Sequence, residues 1–87
     1  MSKNKIIKAP AANAPVAWEN VDAYAIQALA NGTANASQQL HALKWIEENA
    51  CGVYEASYRP ESERETSFCE GKRFVGNQII KLTKLNM

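Results

Sequence analysis

The sequence of residues 62–84 is SERETSFCEGKRFVGNQIIKLTK, and it predicts the longest helix of the chain. Ser62 and Glu65 have the spacing of a capping box, in which each side chain bonds the backbone N–H of the other residue. Acidic residues gather at the start of this stretch and lysines near its end, which complements the helix dipole. We expect a helix over residues 63–84, about 30 Å long. Its expected apolar face consists of Phe68, Val75, Ile79 and Leu82.

A second helix is predicted upstream, over residues 36–50. Asn35 and Gln38 form another capping-box pair at its start. Gly52 follows its end and can adopt the left-handed conformation that terminates a helix. Trp45 projects nearly opposite the apolar stripe of this helix. The stripe has helical spacing and consists of Leu40, Leu43, Ile46 and Ala50.

A first helix is predicted over residues 19–31. Glu19 or Asn20 can cap or charge its start, and Gly32 is placed to end it. Its apolar face is thin and rich in alanine, which favours close approach of a neighbouring helix. The face consists of Val21, Tyr24, Ala25, Ala28 and Leu29.

Residues 1–16 differ in composition from the rest of the chain. They contain three lysines, two prolines and no acidic residue. Such a segment favours extended chain, and we expect a basic arm that becomes ordered only along a partner. The sequence therefore predicts an all-α fold: a small three-helix domain over residues 17–87, preceded by an extended, irregular N-terminal arm.

The size and charge of the chain favour association with another macromolecule. Its 87 residues lie near the lower limit for a domain that folds alone, so oligomerisation or docking is expected. The net charge is +1, and all nine acidic residues lie between Glu19 and Glu70, with basic segments on either side. This pattern suits self-association or a charged protein partner better than DNA.

Neither a membrane span nor a secretion signal is expected. The chain has no apolar run near the roughly 20 residues that cross a bilayer, and only Ile6 and Ile7 follow the basic start. We expect the protein to be made in, and to stay in, the cytoplasm of the cell that makes it.

No group of residues predicts catalysis, a metal site or a cofactor. Cys51 and Cys69 are expected to be reduced and buried as small hydrophobic residues. His41, the single histidine, is expected to be a solvated helix residue rather than the base of a nucleophile pair. Two cysteines and one histidine also fall short of a closed zinc site.

Aromatic and basic residues are the candidates for a contact surface. Trp45, Tyr54, Tyr58 and Arg59 are of the types that dominate protein–protein hot spots. The alternative is that Trp45 and the tyrosines cap the ends of a small core.

Helix positions 71–76 hold a second set of candidates. Lys72, Arg73 and Phe74 are either a solvated face or a site for an acidic surface or a phosphate. Gly71 and Gly76 each weaken a helix by about 1 kcal/mol relative to alanine. We expect these two glycines to allow another helix to pass closely, and tolerated accident is the alternative.

Part of the sequence resembles a family of small tailed-phage proteins found mostly in short-tailed phages and prophages. The resemblance covers residues 36–83 and rests on two motifs. One is a Cys-Gly-Val-aromatic turn at residues 51–54, and the other is a Phe-x-x-Gly-basic-Arg-x-Val-Gly run at residues 68–76. It implies a gene encoded among head-assembly genes, near those for the portal and capsid, and it implies no activity.

Three functions are compatible with these observations. The favoured one is a non-enzymatic accessory component of a phage virion, bound in repeated copies to portal, head–tail adaptor or capsid. A second is a regulatory or DNA-packaging protein that binds nucleic acid. It would use the basic residues Lys72, Arg73, Lys81 and Lys84. A third is an anti-defence protein that sequesters a host protein or a signalling nucleotide. The helix start at residues 62–65 could bind the anionic group of such a nucleotide.

Overall fold

A computed structural model describes residues 14–87 of the chain. It contains three α-helices: α1 (Asn20–Ala30), α2 (Ala36–Trp45) and α3 (Glu63–Thr83). Within the described residues there is no strand, so the prediction of an all-α, three-helix domain is confirmed. Residues 14–19 are irregular, and residues 1–13, which make up most of the expected arm, lie outside the described part.

The start and end of α1 are held by local hydrogen bonds. The backbone N–H of Glu19 donates to Asp22 Oδ2 at 2.8 Å. At the other end Gly32 has a φ of 73° and donates its N–H to the carbonyl of Leu29. The N–H of Thr33 reaches the carbonyl of Ala28, which completes a Schellman motif. The helix therefore ends where the glycine predicts.

The second helix begins as predicted and ends differently. Asn35 Oδ1 accepts from the N–H of Gln38 at 2.8 Å, and Gln38 Oε1 accepts from the N–H of Asn35 at 3.0 Å. The prediction of a continuous α-helix over 36–50 is wrong for the last five residues, Ile46–Ala50, which form a π-helical turn. This π turn is wider, because its N–H groups bond carbonyls five residues back.

The wide turn directs the chain toward α3. The N–H of Cys51 donates to the carbonyl of Ile46 at 2.9 Å, and Gly52 then adopts a φ of 61°. The N–H of Val53 closes the turn on the carbonyl of Glu47 at 3.2 Å. Residues 51–53 are all buried.

Half of the predicted capping box forms at the start of α3. Ser62 Oγ accepts from the N–H of Glu65 at 3.1 Å, as the motif predicts. The N–H of Ser62 instead donates to the carbonyl of Arg59 at 3.1 Å. The second half of the box is therefore replaced by a backbone turn that fixes the direction in which the loop enters α3.

The helices do not form a closed bundle. α1 packs on α2 as a helical hairpin, whereas within the described residues α3 contacts the π turn and makes no extended contact with α1 or α2. The resulting molecule is flat, with principal extents of 48 × 32 × 16 Å. None of the described helices is long and apolar enough to cross a membrane.

The buried interior is made of small residues. The buried hydrophobic residues of the described chain are Ala25, Ala42, Cys51, Val53 and Cys69. No large side chain is fully buried there. The predicted apolar faces are therefore partly wrong. Members that the structure leaves exposed are Val21, Tyr24, Leu29, Leu40, Phe68, Val75 and Leu82.

The error in the α3 face has a physical cause. The side of α3 that meets the rest of the chain carries Cys69, Arg73 and Gly76. At Gly76 the packed segment comes too close for any side chain. Phe68 and Val75 lie about 100° or more around the helix from that side. The largest apolar residues of α3 thus point away from the interior.

Candidate functional site

The loop over residues 51–59 is fastened to α3 by one arginine. Arg73 Nε donates to the carbonyl of Val53, and its Nη1 donates to Ser57 Oγ, each at 3.4 Å. Ser57 is buried, and its hydroxyl also donates to Glu70 Oε2 at 3.5 Å. The guanidinium of Arg73 is therefore engaged within the chain, and its predicted role in partner binding stays a prediction.

Arg59 also has a role within the chain. Its backbone N–H donates to Thr66 Oγ1 at 2.7 Å, and the Thr66 hydroxyl lies 3.2 Å from the Arg59 carbonyl. Its side chain lies beside Glu65, with 3.9 Å between Nε and Oε1. Arg59 therefore ties the end of the loop to the first turn of α3, and its predicted role as a partner contact stays a prediction.

Three of the predicted contact residues are open to solvent. Tyr54 and Tyr58 of the loop are 78% and 70% exposed, and Phe74 of α3 is 64% exposed. The residue before each tyrosine is bonded to Arg73, Val53 through its carbonyl and Ser57 through its hydroxyl. The rings are thus presented on a held backbone, which lowers the entropy lost on binding.

The half-buried side chain of Lys72 lies near Phe68, one turn earlier in α3. Its ammonium lies 5.6 Å from the centroid of the Phe68 ring, within the range of a cation–π interaction. Lys72 and Arg73 therefore do not form one basic cluster, because the first reaches toward Phe68 and the second toward the loop.

The two glycines of α3 lie in different environments. A Cβ on Gly76 would overlap Val53 Cγ1 and lie 2.7 Å from Cys51 Cβ, so the backbone does pass closely there. The neighbour is the loop after the π turn and not a helix. A Cβ on Gly71 would meet nothing within 4 Å in the described chain, so the predicted close packing does not occur within the chain at Gly71.

Trp45 lines an apolar groove between α1 and α2. The groove has a volume of about 250 Å³, and Trp18, Ala23 and Ile26 form much of its wall. Trp18 is 62% exposed, whereas Trp45 is half-buried. In the described part of the chain the Trp45 Nε1–H is buried and has no acceptor.

An ion pair joins α1 to α2. His41 Nε2 lies 2.6 Å from Asp22 Oδ1, and the two side chains are 38% and 14% exposed. The Glu19 N–H and then the His41 imidazole hold the pKa of Asp22 below its ordinary value of 3.8, against a smaller opposite effect of desolvation. His41 is therefore a partly exposed helix residue whose ring is bonded to Asp22, a contact that the sequence did not predict. Pairing across 19 residues leaves no local signal in the sequence.

The histidine and the two thiols lie in different places. Cys51 and Cys69 are unpaired and buried, as expected, and both line a cavity of about 10 Å³ next to Ser57 and Arg73. That volume is at the lower limit for one water molecule. His41 lines a separate cleft between α1 and α2. The described residues also hold no cluster of three or more potential metal ligands.

Comparison with family models, with curated proteins and with solved structures finds no significant match to this chain.

Proposed function

We propose that this chain is a non-enzymatic assembly subunit that completes its apolar surface against a protein neighbour. The observation that carries the proposal is the distribution of apolar side chains. The described buried hydrophobic residues are alanines, cysteines and one valine, while both the helices and the loop expose large apolar residues. Phe68, Val75 and Leu82 share one face of α3, and an exposed apolar face of this kind is typical of an interaction site.

The loop and the groove supply the contact residues in this proposal. Tyr54 and Tyr58 offer two large rings at 78% and 70% exposure on a loop that is already fastened to α3. The groove at Trp45 offers an apolar cleft beside the exposed Trp18 ring. Tyrosine and tryptophan are enriched at interfaces because one side chain combines apolar area with a polar end.

The particle context comes from the resemblance of residues 36–83 to small tailed-phage proteins that are encoded among head-assembly genes. On that basis we propose that the neighbour is the portal, the head–tail adaptor or the capsid, and that the subunit is present in repeated copies on the virion. The turn at residues 51–54 and the middle of α3 at residues 68–76 carry the resemblance, and the Arg73 hydrogen bond to Val53 joins the two segments.

The nucleic-acid alternative is not favoured by the positions of the basic residues. Arg73 is bonded to Val53 and Ser57, and Lys72 lies over Phe68. Of the four basic residues expected to carry this function, Lys81 and Lys84 remain exposed without such contacts to the loop or to Phe68, a small share of the phosphate contacts that DNA-binding proteins make.

The experiment is mass spectrometry of purified, infectious particles of the phage that encodes the chain. The expected result is a fixed number of copies per portal ring or per capsid unit. A Tyr54→Ser/Tyr58→Ser variant should lose most of this incorporation, and a Leu40→Ser variant should keep it, because Leu40 lies on α2 away from the loop. Finding the wild-type polypeptide absent from the particles would end the proposal.

A further inference from the structure

The outward side of α3 carries an apolar stripe with the spacing of a coiled coil. The α3 stripe consists of Phe68, Gly71, Val75, Gln78 and Leu82, which alternate at intervals of three and four residues. Phe68, Val75 and Leu82 are 45%, 53% and 67% exposed. Such spacing places side chains along one line of a helix and is typical of helix–helix pairing.

This stripe lies opposite the side by which α3 is attached. Cys69 and Gly76 are the buried residues of α3, and Arg73 bonds the loop from the same side. At about 100° per residue the centre of the stripe lies roughly 150° around the helix from Cys69. The described chain therefore leaves the whole length of the stripe accessible to a second helix.

The glycine in the stripe removes a side chain where a partner could approach closely. Gly71 is exposed, and nothing lies within 4 Å of the position that its Cβ would occupy. A mid-helix glycine costs about 1 kcal/mol relative to alanine. Packing of a partner side chain into this gap would offset that cost.

Charge along α3 favours another α3 as the occupant. The first turn holds Glu63 and Glu65 with one cation, Arg64, between them, and the last turn holds Lys81, followed by Lys84. An antiparallel partner of the same sequence sets the acidic start of each helix beside the basic end of the other. A parallel partner would bring like charges and like helix dipoles together.

We propose that α3 pairs with α3 of a second copy, antiparallel, about a two-fold axis near residue 73. This register sets Val75 of each copy over Gly71 of the other and brings Glu63 alongside Lys81, which lies on the same flank of the stripe. Phe74, 64% exposed on that flank, meets its counterpart near the axis. The inference rests on the proposed function, because it names one neighbour of an assembly subunit.

Analytical ultracentrifugation of the full chain over a wide concentration range tests the pairing. The wild type is expected to dimerise. Val75→Glu should raise the dimer dissociation constant at least about tenfold, because a carboxylate would have to be buried at the contact. Leu40→Glu, a matched change at an exposed leucine of α2, should leave it unchanged. Circular dichroism checks that each variant keeps its helices.

Charge reversal tests the antiparallel direction. Glu63→Lys and Lys81→Glu should each weaken the dimer about two- to fivefold, and the double variant should restore it. A parallel dimer would gain nothing from the double change.

A wild-type chain that stays monomeric at millimolar concentration overturns the pairing, as does a dimer that survives Val75→Glu or is lost with Leu40→Glu. A chain that is monomeric in solution but present in particles would contradict the pairing and not the proposed function. A chain that dimerises in solution but is absent from particles would contradict the proposed function and not the pairing.

Discussion

Gly76 of α3 lies directly against Val53 of the loop that follows the π turn. A Cβ on Gly76 would overlap Val53 Cγ1, and Cys51 Cβ is only 2.7 Å from the same position. The contact explains how a helix with no extended contact to α1 or α2 is attached to the rest of the chain. Glycine is required at position 76 because a side chain has no room there. The backbone conformation does not require it, since Gly76 is within a regular helix.

Replacement of this glycine should destabilise the fold. Gly76→Ala introduces a methyl group into occupied space, which costs about 1–3 kcal/mol and exceeds the helix-propensity gain of about 1 kcal/mol. We expect a net loss of about 1 kcal/mol in the free energy of unfolding, measured by urea denaturation. Gly71→Ala is the control, with a gain of about 0.5–1 kcal/mol in dilute monomer. A stabilising Gly76→Ala would contradict the close contact.

Removal of the Arg73 hydrogen bonds should make the loop more mobile without unfolding the chain. Arg73→Met keeps much of the apolar stem but removes the donors to the Val53 carbonyl and Ser57 Oγ. We expect about 1 kcal/mol of destabilisation and faster amide hydrogen exchange over residues 53–58. Lys84→Met, at an exposed lysine beyond α3, should change neither quantity. Unchanged exchange in the loop would show that the anchor is dispensable.

The Asp22–His41 pair should make the hairpin sensitive to acid. Because the pKa of Asp22 is lowered in the folded chain, its stabilising contribution is present above its ordinary pKa of 3.8 and is lost as the pH falls through the lowered value. Urea unfolding below pH 4 should show a fall in stability that is smaller in Asp22→Asn. Glu61→Gln, at an exposed acid, is the control and should keep the wild-type slope. Equal slopes in the wild type and Asp22→Asn would argue against the pair.

The two thiols should react only when the chain opens. Cys51 and Cys69 are 9% and 5% exposed. We expect a thiol reagent to modify both slowly in the folded chain and at a rate that rises with the unfolded fraction in urea. Immediate reaction of either thiol without denaturant would contradict its burial.

Helix boundaries could be predicted because their causes are local. The Asn35–Gln38 box and Gly32 act within a few residues of the helix ends that they set, and the structure places α1 and α2 accordingly. The first bond of the Ser62–Glu65 box forms for the same reason. The π turn at Ile46–Ala50 has no such local signal, because it fits the chain to a distant helix.

Buried faces could not be predicted by helical spacing. The pattern of Phe68, Val75 and Leu82 favours an interior, yet α3 attaches through Cys69 and Gly76 to a loop. A periodic apolar stripe indicates that one face of the helix packs against something. It does not indicate whether that neighbour belongs to the same chain or to another one. The engagement of Arg59 and Arg73 within the chain is also a tertiary effect, since their partners lie 7 to 20 residues away.

Hydroxyl-radical footprinting tests most directly whether the exposed apolar residues are an interface. Oxidation of Tyr54, Tyr58, Phe68 and Leu82 would be measured in the dilute chain and in the assembled state, with Leu40 as the internal reference. Rapid oxidation of all four side chains is expected in the dilute chain. Their oxidation rates should fall several-fold on assembly, those of Phe68 and Leu82 in the dimer and those of the tyrosines in the particle. Rates that are already low in the dilute monomer, or that do not change on assembly, would contradict an interface at these residues.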